Sequence, residues 1–137
     1  MAARLKQAAW AVLALLLLSG CGGNPLPAGM DEAALLEAGR DVMLLLVGGA
    51  FDEVHALLRE DVAEGVTAED LQSLTLRQLD GAGVYKQIES SMATGQSSNG
   101  EEYGVAVLYC TFSKDKALFR LAFDPDMALI GLEINRQ

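Results

Sequence analysis

The sequence predicts an α+β domain in which about three N-terminal helices pack on a four-stranded antiparallel sheet. Between residues 31 and 80, apolar side chains recur every three or four positions, which is the period of a helix with one buried face. Between residues 84 and 134, short apolar stretches are separated by turn signals, which is typical of strands. Helices that precede a run of strands favour an architecture in which the helices cover one face of a single sheet.

Capping and glycine signals set the bounds of the predicted helices. The first begins after Asp31 and ends before Gly48-Gly49. The second covers residues 50–60, and the third begins at Thr67, with Asp70 positioned to complete an imperfect capping box. The apolar positions are Leu35, Ala38, Val42, Leu45 and Leu46 in the first helix, Phe51, Val54, Leu57 and Leu58 in the second, and Leu71, Leu74, Leu76 and Leu79 in the third.

Turn signals divide the second half of the chain into four predicted strands. Residues 84–94 are partly polar, which suits an edge strand, and Asn99-Gly100 is a hairpin signal. Residues 103–112 are apolar on both alternating faces, as in a central strand. Asp124-Pro125-Asp126 is a type I turn signal between the last two strands. These two strands carry Ala117, Phe119, Leu121 and Phe123, and then Ala128, Ile130, Leu132 and Ile134.

The start of the chain has the layout of a secretory signal peptide. Arg4 and Lys6 form a basic beginning, and residues 8–18 are an unbroken apolar run followed by two small residues. This run of 11 residues is too short for a membrane-spanning helix, which needs about 20 residues. We therefore expect residues 1–20 to be a cleaved signal peptide rather than a retained anchor.

Leu18-Ser19-Gly20-Cys21 resembles the lipobox of bacterial lipoproteins. The resemblance implies that the Cys21 thiol takes a diacylglyceryl group, that cleavage falls between Gly20 and Cys21, and that an acyl chain such as palmitate is added to the new N-terminus. Stable anchoring needs a second signal beyond one acyl chain, and several chains on one residue supply it. The implied location is the extracytoplasmic side of a cell-envelope membrane. The alternative is a secreted protein in which Cys21 pairs with Cys110.

The processed chain is strongly acidic. The net charge of −9 becomes −11 when Arg4 and Lys6 leave with the signal peptide, because 8 basic and 19 acidic residues remain. Nucleic acid is not an expected partner, since phosphate binding needs basic patches. Acyl chains, rather than charge, are expected to attach the protein to a membrane. Residues 21–29, rich in Gly and Pro, are predicted to be a lipidated tether. Residues 30–137 are predicted to be one small domain.

Several segments of the predicted domain carry a family pattern. They are Gly48-Gly49-Ala50-Phe51-Asp52-Glu53-Val54 with Leu57-Leu58, Thr67-Ala68-Glu69-Asp70-Leu71, Gly83-Val84-Tyr85, Val107-Leu108-Tyr109-Cys110-Thr111-Phe112, and Phe123-Asp124-Pro125-Asp126 with Ile130-Gly131-Leu132. They resemble domain-of-unknown-function family 3887, and the order of elements resembles the cone-shaped nuclear transport factor 2-like or cystatin-like folds. The resemblance implies a cavity between helices and sheet. It brings no established activity or site residues.

His55 is the only histidine and therefore the main candidate for a general base. Asp52, three residues earlier, or Asp41 is its nearest acidic candidate in sequence, and a cone-shaped fold can host such a pair in its cavity. The alternative role for His55 is packing at the border of an apolar stripe. One histidine and one further cysteine do not make a zinc site, and the acidic turns follow no calcium-loop pattern. No metal or cofactor is expected.

Four side chains are further candidates for lining a pocket with His55. They are Tyr85, Tyr103, Tyr109 and Arg120. The alternative is that the tyrosines pack on the sheet and that Arg120 is a solvated strand residue. Cys110 lies in the most apolar segment and is predicted to be a core residue.

Three functions remain open at this point. The first is a non-catalytic, lipid-anchored envelope module that binds a ligand, a peptide or a protein partner. The second is a small cavity enzyme that uses His55 with an acidic residue, and the third is a structural accessory of an envelope complex. The lack of a convincing catalytic constellation in the sequence favours the first.

Overall fold

The computed structural model describes residues 24–137, so the predicted signal peptide and Cys21 lie outside the described residues. The helices are α1 (Glu32–Val47), α2 (Phe51–Leu57), α3 (Glu60–Ala63) and α4 (Ala68–Leu79), and the strands are β1 (Tyr85–Ser98), β2 (Glu101–Phe112), β3 (Lys116–Phe123) and β4 (Leu129–Arg136). The predicted α+β class is confirmed, because the four strands form one antiparallel sheet in the order β1-β2-β3-β4.

Helix α1 follows the prediction and packs across the sheet. Asp31 Oδ2 accepts a hydrogen bond of 2.9 Å from the backbone N–H of Ala34 and so caps the first turn. The helix comes closest to β2 at Gly39, where a Cβ atom would lie only 2.5 Å from Ala106 Cβ. Only glycine allows this approach. The buried residues of the helix are Leu35, Gly39, Val42, Met43 and Leu46.

The single helix predicted over residues 50–60 is wrong, because α2 and α3 are two short helices. The break falls at Leu58, whose backbone is extended (φ −69°, ψ 141°) and forms a parallel bridge with Leu129 of β4. The backbone N–H of Arg59 donates to the carbonyl of Leu129 at 2.8 Å. Pairing with β4 gives these backbone groups hydrogen-bond partners that a helix would otherwise supply. The chain therefore leaves the helix here despite its helical apolar spacing. The described residues therefore contain four helices rather than three.

Helix α4 begins as predicted but buries a different face. The capping box is complete, because Thr67 Oγ1 accepts from Asp70 N at 3.0 Å and Asp70 Oδ2 accepts from Thr67 N at 2.9 Å. The predicted apolar arc was too broad, since Leu76 is 58% exposed. The helix buries Leu71, as predicted, and also Thr75 one turn further on, while Leu74 and Leu79 are half-buried.

The sheet presents one face to the helices and the other away from them. The β1–β2 hairpin turns at Asn99 and Gly100, whose positive φ angles of 55° and 82° fit the predicted tight hairpin. A bulge between β3 and β4 turns Leu129 inward. Inward-facing strand residues complete the core with the helices; they include Ala106, Leu108, Cys110, Phe112, Ala117, Phe119, Leu121, Phe123, Leu129 and Ile134.

Residues 24–29, which the sequence assigned to a tether, lie against the edge of β1. Asn24 N donates to Thr94 Oγ1 at 3.0 Å, and the Asn24 side-chain amide donates to the carbonyl of Gly95 at 3.1 Å. The N–H of Gly95 donates back to the carbonyl of Asn24 at 3.0 Å. Three hydrogen bonds therefore hold Asn24 against the β1 edge of the sheet.

Two paired glycines make room for this N-terminal segment. Gly95 of β1 is directly opposite Gly104 of β2. Pro25 passes over Gly95 so closely that a Cβ there would fall inside the proline carbonyl, and Met30 packs over Gly104. The chain thus crosses the sheet on its helix side before it enters α1.

Candidate functional site

A groove of about 1070 Å³ runs along α4. Its other walls are the junction of α1 with α2, the segment 80–83 that leads towards β1, and the end of β2 at Phe112. The apolar residues that line it are Leu46, Val47, Phe51, Leu76, Leu79 and Phe112. The exposure of Leu76 is explained by this position. Ligand-binding sites typically combine such an apolar lining with a few placed polar groups.

Thr75 is a buried polar side chain that lines this groove. It is 3% exposed, and its Oγ1 has no hydrogen-bond partner among the described residues. A buried hydroxyl without a partner costs about 1–3 kcal/mol, because it has lost its hydrogen bonds to water. The hydroxyl can donate one hydrogen bond and accept others, and a rotation of the side chain would bring its buried oxygen to the groove surface, where it can pair with a bound molecule.

The groove is electronegative. Three carboxylates, those of Asp52, Glu69 and Asp80, line it, and no basic side chain is among its lining residues. Helix α1 ends at the groove, and the C-terminal end of a helix carries a partial negative charge. Helix α4 ends there too, but Arg136 donates to the carbonyls of Gln78 and Asp80 and offsets that charge. Helices α2 and α4 begin at the groove, and acidic residues in their first turns offset their positive ends.

The predicted catalytic pair of His55 with an acid is not assembled. His55 is half-buried on α2, and its Nε2 lies 3.3 Å from the carbonyl of Ala63 in α3. Among the described residues, no carboxylate forms a hydrogen bond or an ion pair with this ring. Asp52 faces the groove and Asp41 is exposed on α1. The contact with Ala63 instead ties α2 to α3.

Tyr85 and Cys110 lie on the helix side of the sheet. The Tyr85 ring packs edge-on against Phe112, with the ring centroids 5.8 Å apart and an interplanar angle of 73°. It therefore supports a wall of the groove from behind. Cys110 is 1% exposed, which confirms the predicted core position. Burial raises the pKa of its thiol to about 11, so the thiol stays protonated and unreactive at neutral pH.

Tyr103, Tyr109 and Arg120 lie on the opposite face of the sheet. Tyr103 Oη donates to Gln96 Oε1 at 3.2 Å, and Arg120 Nε is 3.6 Å from Glu133 Oε1. Tyr109 is 42% exposed. The five side chains predicted to line one pocket are therefore divided between the two faces of the sheet and form no common site.

A second cluster of charged side chains is centred on Arg59. Its guanidinium binds Asp61 at 2.8 Å, Asp124 at 3.2 Å and also Glu101. Hydrogen bonds to these carboxylates, led by Asp61, raise the pKa of Arg59. Asp124 is buried, and its other oxygen accepts from the backbone N–H of Ala128 at 2.9 Å. Because each charged group in the cluster has a partner, we interpret the cluster as structural: it connects the α2–α3 break to the sheet.

Two further features bear on chemistry and location. Across residues 24–137, no set of three His, Cys, Asp or Glu side chains is grouped so that it could hold a metal ion. None of the helices in this part of the chain is both long and apolar enough to cross a membrane.

The fold and the groove define a small α+β domain with an open cleft between its helices. The model of the family described as "Protein of unknown function (DUF3887)" matches residues 40–132, a range that includes every residue lining the groove. The chain belongs to this family. A solved structure, the NMR structure of a protein from Ruminococcus gnavus ATCC 29149, is similar with a TM-score of 0.70 and 20% sequence identity. The similarity covers 80% of this chain and 96% of the other, and it shows the shared fold alone. No curated protein matches.

Proposed function

We propose that this protein is a lipid-anchored, non-catalytic module of the cell envelope that binds its ligand in the groove along α4. The observation that carries the proposal is Thr75, a residue that lines the groove and whose hydroxyl is buried without a hydrogen-bond partner. Selection for stability alone favours an apolar residue at such a position, because it avoids the cost of an unmade hydrogen bond. A bound molecule that pairs with the hydroxyl accounts for the threonine.

The surroundings of Thr75 support binding rather than catalysis. Leu76 offers an exposed apolar surface beside it, which is 58% accessible although leucine is usually buried. Neither His55 nor Cys110 is among the residues that line the groove. The groove therefore combines an apolar surface with a polar anchor and carboxylates, which suits recognition.

Replacing Thr75 with valine should raise the free energy of unfolding by about 1 kcal/mol, because the substitution removes an unpartnered polar group and keeps the side-chain shape. The same variant should lose ligand. Chemical denaturation followed by circular dichroism measures the first effect. Native mass spectrometry of protein purified from its membranes measures the second, as loss of an added mass that the wild type retains.

Thr75→Ser is the matched control for this substitution. It keeps the hydroxyl and loses a methyl group, so it should retain the added mass while losing about 1 kcal/mol of stability. A Thr75→Val variant that is less stable than the wild type would show that the hydroxyl has a partner within the fold, and the proposal would lose its main support.

The lipid anchor is proposed at Cys21 on the strength of its lipobox pattern. The docked N-terminal segment supports this over a disulfide with Cys110. Two residues lie between Cys21 and Asn24, so even a fully extended chain spans at most about 11 Å from one to the other. Asn24 binds Gly95, whose partner Gly104 lies six residues from Cys110, about 20 Å along β2. The Cys21 thiol is thus out of reach of Cys110 while Asn24 stays docked.

With an anchor at Cys21, we expect the groove to lie away from the bilayer. Phe112, at the groove, lies eight residues beyond Gly104, which is about 26 Å along the strand. An anchor at Cys21 holds the domain by the other end of the sheet. The groove then opens towards soluble or peripheral partners in the envelope.

Replacing Cys21 with serine should move the protein out of the membrane fraction or block its maturation, because the serine hydroxyl does not take the thioether-linked lipid. Fractionation and immunoblotting measure the distribution. Cys110→Ala is the control and should stay in the membrane. Equal behaviour of the two variants, or a wild type that is already soluble, would contradict a lipid anchor at Cys21.

We also propose that the domain is of the nuclear transport factor 2-like or cystatin-like kind. Its support is a four-stranded antiparallel meander with the helices on one face. The short helix α3, set off by the break at Leu58, is an addition to the three helices expected of it.

A further inference from the structure

We infer that the ligand of the groove is a basic, amphipathic segment of a partner polypeptide. This inference rests on the proposed binding function and names the chemistry of the ligand. Three carboxylates line the groove, and no lining residue is basic, so a ligand of the opposite charge is favoured.

Two basic side chains at the margin of the groove, Arg136 and Lys114, are not among the residues that line it. Arg136 is engaged by Asp115 at 2.7 Å and by the backbone carbonyls of Gln78 and Asp80 at 3.0 and 2.7 Å. Lys114 lies at the edge, where its stem packs beside Gly83. The C-terminal end of α1 adds partial negative charge, whereas the bonds from Arg136 offset that of α4. The residues that line the groove therefore include three carboxylates and no basic side chain.

The ligand must also carry apolar side chains. Leu76, Leu79 and Phe112 present an apolar strip along the groove. A highly charged ligand without apolar groups would leave this strip in water and gain little from burial. Basic and apolar groups on one molecule satisfy both parts of the lining.

The shape and the hydroxyl favour a polypeptide as the carrier of these groups. The groove follows α4 from Ala68 to Asp80, so it takes an elongated occupant. Once the Thr75 side chain rotates its buried hydroxyl to the groove surface, the hydroxyl can accept from a backbone N–H or donate to a backbone carbonyl. An extended peptide has both groups at every non-proline residue.

The test uses three fluorescent synthetic peptides of equal length and the mature chain carrying Cys21→Ser, which avoids lipid and detergent. One peptide alternates leucine with lysine, the second leucine with glutamate, and the third glycine with lysine. We expect the leucine–lysine peptide to bind at least about tenfold more tightly than the others by fluorescence anisotropy. Its affinity should fall as salt is added, because exposed charges are screened.

Glu69→Gln with Asp80→Asn should weaken binding of the leucine–lysine peptide about tenfold at low salt, about threefold for each exposed carboxylate. The matched control, Glu102→Gln in β2 with Asp126→Asn in the turn before β4, removes the same charge outside the groove and should leave the affinity unchanged. Equal weakening by both pairs would mean attraction to the net charge alone and would overturn the inference, as would failure of all three peptides to bind.

The peptides also separate this inference from the proposed function. Tight binding of the leucine–glutamate peptide, weakened by Thr75→Val, would overturn the basic ligand and leave the binding groove in place. Binding of the leucine–lysine peptide that neither Thr75→Val nor the Glu69 and Asp80 substitutions weaken would place it outside the groove and overturn both.

Discussion

Gly39→Val is expected to lower the free energy of unfolding by about 3 kcal/mol, because it overpacks the closest contact between α1 and the sheet. A Cβ at position 39 would lie 2.5 Å from Ala106 Cβ, and Ala106 is held by a central strand with no exposed surface. The helix must therefore lift or tilt, which opens the core beneath it. Denaturant unfolding followed by circular dichroism measures the loss.

A double-mutant cycle tests whether this contact is the cause. Gly39→Ala alone should destabilise the domain by about 1–2 kcal/mol, since its clash outweighs the gain of about 1 kcal/mol in helix propensity. Ala106→Gly removes the methyl group that position 39 meets. The double variant should therefore be more stable than the sum of the two single changes predicts. Additive losses would show that the close approach at Gly39 does not limit packing.

Gly95→Ala is expected to cost about 2–3 kcal/mol by forcing the N-terminal segment off the sheet. A Cβ there would overlap the carbonyl of Pro25 and lie 3.2 Å from Leu26 Cα, and these backbone atoms cannot rotate away. Displacement breaks the hydrogen bonds of Asn24 to Thr94 and Gly95. Hydrogen exchange of the Gly95 amide should accelerate more than that of the strand interior.

Gly104→Ala is the matched control, because Gly104 is directly opposite Gly95 in the sheet. Its added Cβ would meet the ends of the Leu35 and Met30 side chains at 3.0 Å, and such flexible ends can shift. Gly104→Ala should lower the free energy of unfolding less than Gly95→Ala does and should leave Asn24 docked. Equal stability of Gly95→Ala and the wild type would contradict the observed path of residues 24–30.

Local signals in the sequence predicted those elements whose causes are local. Asp31, Thr67 with Asp70, and Asn99-Gly100 act within a few residues, and the structure places each as expected. The break at Leu58 could not be predicted in this way. Its cause is pairing with Leu129, which is distant in sequence and comes close only when the sheet is complete.

The groove was only partly visible in the sequence. Thr75 follows Leu71 by four residues, so the helical spacing already places it on the buried face, but a polar residue there was not counted. Leu76 was assigned to the core because it is apolar, although its position turns it towards the groove. Burial patterns of single side chains do not show where two helices leave a gap between them.

The predicted pocket failed for a reason that strand periodicity explains. Tyr103 and Tyr109 are odd-numbered residues of β2, whereas the inward-facing Cys110 and Phe112 are even-numbered. Once Cys110 was assigned to the core, alternation alone placed both tyrosines on the other face. The face on which Tyr85 lies depends on the register of β1. That register shifts at irregularities near the start of the strand, so alternation alone does not predict the face.

Nuclear magnetic resonance titration of the ¹⁵N-labelled mature chain, carrying Cys21→Ser, with the leucine–lysine peptide tests the groove most directly. We expect saturable shifts of the backbone amides around Phe51, Leu76 and Gly83, which line the groove. The amides of Tyr109 and Arg120, on the other face of the sheet, should stay in place. Shifts confined to that other face, with the groove unchanged at saturation, would contradict the assignment of the groove as the binding site.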